Sequence, residues 1–216
     1  MKRFGMRLLL VLTGLGLIAS REAAIAHPHV TVVAKAAIML DAKGQITGIR
    51  HAWTFDEAYS AYATTGMKTG SDGKVTKQEL EDLAKLNVES LSEFKYFTQL
   101  KRGKSALAFA SPKEGYYLEH DGKALTLHFV LPLEKPAALA TGQSLRIDDE
   151  TIFVAFSLAP DDPVTFEGPA GACKIGIRRP AQSLAGSAAP ISEDFFNNLK
   201  AGFSEQYASS AEITCP

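Results

Sequence analysis

Cysteine, tryptophan and surplus positive charge are scarce in this sequence. Its 216 residues include two cysteines and one tryptophan, and the formal net charge is −1. Nucleic-acid-binding domains carry clustered basic residues that neutralise phosphates, so the balanced charge argues against a nucleic-acid partner. The two cysteines lie far apart and do not form a pair with metal-binding spacing. The composition therefore excludes a basic nucleic-acid-binding domain and a cysteine-based metal site.

Long apolar runs are also scarce, since a single one begins at Leu8 and ends at Ala19. It follows three basic residues and is too short to cross a membrane, which is typical of a secretory signal peptide. Small residues at Ala24 and Ala26 match the preference of signal peptidase, so we expect cleavage before His27 and export to the periplasm. A cut after Ala19 is the alternative. Because no second apolar run follows, no membrane span is expected after cleavage.

Cleavage before His27 would place three nitrogen donors at a new chain end. These are the α-amine and the imidazoles of His27 and His29, and neutral nitrogens of this kind bind zinc, copper, nickel or cobalt. Pro28 has no N–H to lose, so a planar Cu(II) chelate through the intervening amides is blocked. The remaining geometry is tetrahedral or open, which favours Zn²⁺. If cleavage falls elsewhere, the two histidines are ordinary surface residues.

A zinc site at this end would need a carboxylate from elsewhere, because zinc prefers four ligands. Alternating apolar residues predict two consecutive strands, over residues 29–40 and 45–55. If the four residues between them form the whole turn, His29 faces Asp56 across the pair. Asp56 is therefore the first candidate ligand and Glu57 is the next.

The other three histidines are weaker candidates for ligands. His51 shares strand parity with Trp53, which favours a buried, hydrogen-bonded side chain. His120 adjoins an Asp-Gly turn, so we expect it to be solvated. His128 lies on the face opposite the apolar residues of its strand, and that strand is expected to end before Pro132.

Residues 68–79 resemble the calcium-binding loop of an EF-hand without its full ligand set. The turn glycine, Gly73, and the final ligand, Glu79, are present. Lys68 and Gly70 stand at two positions where acids are required. Binding of Ca²⁺ is therefore not expected, although the flanking helices should still form.

The whole pattern predicts an α+β fold: an antiparallel β-rich domain with an inserted EF-hand-like helix pair and a C-terminal helix. We expect residues 1–26 to be the signal peptide and 27–216 to form a single periplasmic α+β domain. The helical insertion spans 54–97, and its second helix ends near Lys95. Ser192 is expected to cap the C-terminal helix.

Two cysteines in an exported protein most simply form one disulfide, here between Cys173 and Cys215. Such a bond would tie the C-terminal end of the chain to the strand that starts at Cys173. Free thiols are the alternative.

Five segments resemble a family of bacterial periplasmic proteins of unknown function, usually labelled as the periplasmic component of an uncharacterised ABC-type transport system. The segments are His27–Val30, Trp53–Glu57, residues 68–79, Glu93–Thr98 and Phe153–Phe156. Members are commonly encoded beside nickel/cobalt-type permeases, and some are implicated in zinc acquisition. The resemblance therefore implies an inner-membrane metal permease as partner. It also aligns Asp149 with an acid before an aromatic strand, which makes Asp149 an outside candidate ligand.

The expected function is a periplasmic transition-metal-binding accessory protein that delivers Zn²⁺, or Ni²⁺, Co²⁺ or Cu²⁺, to an inner-membrane transporter. An enzyme is not expected, because no Ser-His-Asp, Cys-His or Glu-x-x-His arrangement is present. Two alternatives stay open. One is a structural or partner-binding module with incidental histidines, and the other is a metalloenzyme that uses the N-terminal histidine.

Overall fold

The computed structural model describes residues 30–180 and 208–216, and this part of the chain is mostly β-strand. The expected β-rich character is confirmed. The helical elements are Glu57–Ala63 (α1), Glu81–Leu91 (α2) and a 3₁₀ segment, Ser92–Phe97, directly after α2. The strands are Val30–Leu40 (β1), Gln45–Phe55 (β2), Thr98–Arg102 (β3), Ser105–Ala106 (β4), Tyr117–His120 (β5), Leu125–Ala138 (β6), Gln143–Ile147 (β7), Val154–Leu158 (β8), Val164–Glu167 (β9), Lys174–Arg178 (β10) and Ser210–Thr214 (β11).

The strands form two sheets. One sheet has the order β5-β6-β2-β1-β8, with β9 also paired to β1, and the other has the order β10-β11-β7-β3-β4. Strand β1 pairs antiparallel with β2 and parallel with both β8 and β9, so the larger sheet is mixed. The start of β1 therefore lies between the end of β2 and the start of β8.

One apolar cluster draws residues from both sheets, and period-two alternation explains which side chains enter it. In β1 the even-numbered residues from Val32 to Ile38 are buried, whereas Val33 and Lys35 are exposed. The aromatic centre is Trp53, whose ring contacts Phe129 at 4.9 Å between centroids and Phe156 at 5.0 Å. The larger sheet thus has an apolar inner face and a mixed outer face.

The β1–β2 register differs from the expected one by two residues. Val32 pairs with Phe55, and the Asp56 N–H donates to the Thr31 carbonyl at 3.0 Å, so Thr31 rather than His29 lies opposite Asp56. An irregularity after Met39 shifts the pairing near the turn. A shift by two preserves the face of every side chain, which is why the expected burial was right although the pairing was wrong.

Strand β6 runs through Pro132 to Ala138, where the sequence had suggested a loop. The Pro132 carbonyl accepts from the Ala110 N–H at 2.9 Å, so proline contributes an acceptor although it has no N–H. Opposite, β2 has an irregularity between Ile46 and Gly48. A Cβ on Gly48 would lie 2.7 Å from the Leu131 carbonyl oxygen, so only glycine allows this close approach.

The helical insertion is not the expected EF-hand-like pair. Helix α1 begins after Asp56 as expected, but α2 begins at Glu81 and ends at Leu91 instead of near Lys95. The Thr76 hydroxyl accepts from the Glu79 N–H at 3.2 Å, so this capping contact forms one turn before the helix. After Phe94, the positive φ angles of Lys95 and Tyr96 end the helical conformation.

The disulfide between Cys173 and Cys215 is confirmed. Strand β11, which precedes Cys215, lies between β10 and β7 and was not expected from the sequence. The Thr141 hydroxyl also holds this end, since it donates to the Cys215 carbonyl at 2.8 Å and accepts from the Cys215 N–H at 2.7 Å. The helix expected from Ser192 lies outside the described residues, as does the signal peptide. Within residues 30–180 and 208–216, no helix has the length and apolarity needed to span a membrane.

Candidate functional site

The candidate carboxylates Asp56, Glu57 and Asp149 lie around the start of β1. Asp56 and Glu57 follow the last residue of β2 directly and form the start of α1. Asp149 lies in the loop before β8, and its Oδ2 accepts from the Val154 N–H at 3.0 Å. Because Val154 pairs with Val30, all three carboxylates belong to one end of the larger sheet.

Both carboxylate oxygens of Asp56 are engaged in local structure. Oδ1 accepts from the Tyr59 N–H at 2.8 Å and so caps α1, while Oδ2 accepts from the Thr31 N–H at 2.8 Å and the Thr31 hydroxyl at 3.2 Å. Burial raises the pKa of Asp56, but the hydrogen bonds from Tyr59, Thr31 and the Ala58 N–H outweigh it and lower the pKa overall. Asp56 is therefore an ionised structural link between β1 and α1.

Glu57 is the least engaged of the three candidate carboxylates. Its side chain is 71% exposed and contacts the Lys123 ammonium at 3.7 Å, an exposed ion pair of little energetic weight. It occupies the first turn of α1, where the helix dipole favours an anion. Glu57 thus keeps its oxygens available to a ligand from solvent.

Asp149, like Asp56, has both carboxylate oxygens engaged in local hydrogen bonds. The residue is 5% exposed, and Oδ1 accepts from both the N–H and the hydroxyl of Thr151, at 2.8 and 2.7 Å. With Val154 on its other oxygen, Asp149 organises the turn into β8. Its main role in the described residues is structural.

His27 and His29, the two expected nitrogen ligands, lie outside the described residues. Within 30–180 and 208–216, no group of three or more His, Cys, Asp or Glu side chains is arranged to hold a metal ion. The described part therefore supplies carboxylates but no complete site.

His51 is a buried structural histidine, as its strand parity predicted. It is 0% exposed, and burial lowers its pKa to about 3. The indole N–H of Trp53 is only a donor and gives its hydrogen to His51 Nδ1 at 3.2 Å, so the proton of the neutral ring belongs on Nε2. Nε2 lies 3.4 Å from the Thr98 hydroxyl oxygen, and that hydroxyl donates to the Tyr96 carbonyl at 2.7 Å. This buried chain of hydrogen bonds leads to the backbone of the 3₁₀ segment.

His120 and His128 both have partners on neighbouring elements. His120 Nδ1 accepts from the Val75 N–H at 3.1 Å, so this side chain is tied to the loop at 68–79 instead of being simply solvated. His128 Nε2 lies 3.3 Å from a Glu119 carboxylate oxygen. Burial lowers the pKa of His128, and Glu119 partly opposes this effect. Among residues 30–180 and 208–216, neither histidine joins a group that could hold a metal ion.

The loop at 68–79 is closed by its own hydrogen bonds. The Gly70 N–H donates to the Lys74 carbonyl at 2.8 Å, and an Asp72 carboxylate oxygen accepts from the Lys74 N–H at 3.1 Å. Gly73 has a φ of +76°, which suits glycine. These bonds hold the tip of the loop, and the expectation of no Ca²⁺ binding still depends on the two missing acidic ligands.

Sequence reasoning missed a cavity of about 640 Å³ beside the 3₁₀ segment. Its wall includes three consecutive non-glycine residues in the left-handed region, Lys95, Tyr96 and Phe97, with φ of 52°, 54° and 47°. Each such residue costs on the order of 1–2 kcal/mol, and strain of this kind concentrates at functional sites. Ile152, which also has a positive φ of 59°, directly follows Thr151, the last residue of the loop at 148–151 that lines the other side of the cavity. No local sequence pattern marks this conformation, since none of these positions is glycine, asparagine or aspartate.

The described geometry defines a two-sheet, β-rich domain whose candidate carboxylates lie near the start of β1. A family model described as "Protein of unknown function (DUF1007)" matches residues 11–215, and the chain belongs to this family. No curated protein matches the chain.

Proposed function

We propose that this protein is a periplasmic carrier of Zn²⁺, or of a similar late transition ion such as Ni²⁺, Co²⁺ or Cu²⁺. It would receive the ion as cargo and pass it to an inner-membrane permease. The ligands would be the imidazoles of His27 and His29 with one carboxylate from the start of α1. This proposal depends on export and on cleavage before His27.

The observation that supports the proposal best is the position of Val30 in the larger sheet. Val30 begins β1 opposite Val154, and its neighbour Thr31 is bound to Asp56. His29 is joined covalently to Val30, so the histidine-bearing segment enters the described fold at the end that holds the candidate carboxylates. Nitrogen and oxygen donors of the kind zinc prefers can therefore converge there.

Glu57 replaces Asp56 as the favoured carboxylate. Both oxygens of Asp56 already accept hydrogen bonds that hold β1 and cap α1. Glu57 is 71% exposed and gives up only an exposed contact with Lys123 if it turns to an ion. Two imidazoles and one carboxylate leave a fourth position open, and an open position suits a carrier because the receiving protein can begin ligand exchange there.

Zinc titration of the exported protein tests the proposal. The intact mass should correspond to His27–Pro216 with one disulfide, and competition with a chromophoric chelator should reveal one site. His29→Ala should weaken zinc binding more than about tenfold, and Glu57→Gln should weaken it less. His128→Ala is the matched control, because it removes an imidazole from the outer face of β6 and should leave the affinity unchanged.

Two further measurements separate the ligands. Affinity should fall as the pH drops through about 6–7, where imidazoles and the terminal amine take up protons. One alanine added before His27 should weaken binding if the amine is a ligand and have little effect if only imidazoles bind. Wild-type affinity in both His29→Ala and the extended protein would refute the N-terminal site. Zinc-dependent hydrolysis by the loaded protein would refute the carrier function in favour of a metalloenzyme.

A further inference from the structure

The cavity beside the 3₁₀ segment is lined by neither Asp56 nor Glu57, and Asp149 is the one candidate carboxylate in its lining. Its volume is about 640 Å³, which is in the range of small-molecule sites. One wall is the 3₁₀ segment with the start of β3, another is residues 106–109, and the third is the loop at 148–151. Most of its apolar lining comes from Phe94, Phe97, Leu100, Leu107 and Phe109.

An aromatic ring at the mouth of the cavity is left partly open to solvent. Phe94 is 50% exposed, although it stacks on Phe97 with ring centroids 5.2 Å apart and planes inclined by 18°. Phe97 continues inward to Phe156, at 5.3 Å between centroids. The exposed face of Phe94 and the stacked ring below it offer a flat apolar surface that a second ring can cover.

Hydrogen bonds to the 3₁₀ segment hold this wall of the cavity in position without a bound ligand. The Thr98 hydroxyl donates to the Tyr96 carbonyl at 2.7 Å and contacts buried His51 on its other side. The Asp148 N–H donates to the Phe97 carbonyl at 2.9 Å and ties the 3₁₀ segment to the opposite loop. These bonds fix the left-handed residues and thereby the position of the Phe97 ring, which is the preorganisation that a binding site needs.

The polar groups around the cavity have an excess of negative charge. Its lining includes the carboxylates of Glu93, Asp149 and Glu150, whereas Lys95 supplies the one cation among the lining residues that the structure describes. Asp148 also lines the cavity, and Arg146 donates to it at 2.7 Å, so this pair adds little net charge. An organic cation therefore fits the cavity better than an anion of the same shape.

We propose that this cavity binds an organic cation with a flat aromatic body. The aromatic body stacks on Phe94 and fills the apolar wall, and the cationic group stays at the mouth near Glu93 and Glu150. The Gln99 side-chain amide donates to Glu150 at 3.2 Å and fixes that carboxylate in position. Ligand binding here does not require the N-terminal histidines or a metal ion.

Two dansyl probes of opposite charge test the proposal on the full exported protein. Dansylcadaverine carries an ammonium group and dansylglycine carries a carboxylate on the same fluorophore. Dansylcadaverine should bind one saturable site with increased fluorescence in the presence of a metal chelator, and dansylglycine should bind at least about tenfold more weakly. Absence of dansylcadaverine binding, or equal binding of the two probes, would overturn the proposal.

Substitutions then locate the site. Phe94→Ala should weaken the binding of dansylcadaverine about fivefold without unfolding the protein, since this residue is already 50% exposed. Glu93→Gln combined with Glu150→Gln should reduce the preference for the cationic probe and its sensitivity to salt. Tyr62→Ala is the matched control, because Tyr62 is 80% exposed on α1 and does not line the cavity. Equal weakening by Tyr62→Ala and Phe94→Ala would show surface adsorption and refute the cavity as the site.

The two proposals can fail separately, because the dansyl experiment is done with a chelator that removes metal. Absence of dansylcadaverine binding leaves the zinc carrier proposal intact, and failure of the zinc titration leaves the cavity proposal intact.

Discussion

Replacing Asp56 by alanine removes two contacts at once, the cap of α1 and the link to β1. Loss of an N-cap costs about 1 kcal/mol. The Thr31 N–H and hydroxyl lose a charged acceptor in a half-buried position, and hydrogen bonds to charged groups contribute about 1.5–3 kcal/mol. Solvent near this site weakens both effects, so we expect Asp56→Ala to lower the free energy of unfolding by about 2–3 kcal/mol.

Asp56→Asn separates the two contacts. Asparagine caps helices as well as aspartate does, so its carbonyl oxygen can accept from the Tyr59 N–H. The amide nitrogen then faces the Thr31 N–H, and two donors cannot bond to each other. The asparagine variant should therefore lose about 1–2 kcal/mol, between wild type and alanine.

Urea unfolding followed by tryptophan fluorescence gives these free energies directly. Trp53 is the only tryptophan in the chain and is 1% exposed, so its emission reports on the core. The pKa of Asp56 is lowered in the folded protein, so its contribution is present above the unfolded pKa near 4 and is lost as the pH falls through the folded value. A loss below about 0.5 kcal/mol in Asp56→Ala, or a loss that stays the same in acid, would refute this account.

Period-two alternation predicted the two central strands and the burial of His51 well, because side-chain period in a strand is a local property. The same pattern could not give the β1–β2 register. An irregularity near the turn changes which residues of β1 and β2 pair with each other. It leaves each side chain on the same side of the sheet. The pairing of Thr31 with Asp56 therefore required the structure.

Long-range contacts explain the other differences. Strand β6 continues past Pro132 because the carbonyl of that proline and its neighbours pair with a segment around Phe109, which lies more than twenty residues earlier. Strand β11 pairs with β10 on one side and with β7 on the other, and both partners lie more than thirty residues earlier in the chain. Pairing partners of this kind are invisible to a local pattern.

Asp56 and Glu57 were found by residue type and strand position, and Asp149 by the family resemblance, but their different involvement in hydrogen bonds could not be predicted. Asp56, Glu57 and Asp149 are all acids beside strand ends, and the sequence favoured Asp56. Hydrogen bonds occupy the oxygens of Asp56 and Asp149 and leave Glu57 exposed, which is why our proposal favours Glu57. The cavity beside Phe97 had no sequence signal, because its left-handed wall depends on bonds from Thr98 and Asp148.

Two further stability measurements test the fold. Reducing the bond between Cys173 and Cys215, which closes a loop of 42 residues, should lower the free energy of unfolding by about 2–4 kcal/mol, and Cys215→Ser should match the reduced wild type. His51 should make the protein sensitive to acid, because the folded ring has a pKa of about 3 and the unfolded ring one near 6.5. The unfolded state then binds the extra proton, so the free energy of unfolding should fall as the pH drops from about 6.5 toward 3. His51→Gln, which does not titrate, should lose that part of the slope while the part due to carboxylates remains. An unchanged slope between about pH 6.5 and 5 in His51→Gln would mean that this ring is not held neutral by burial.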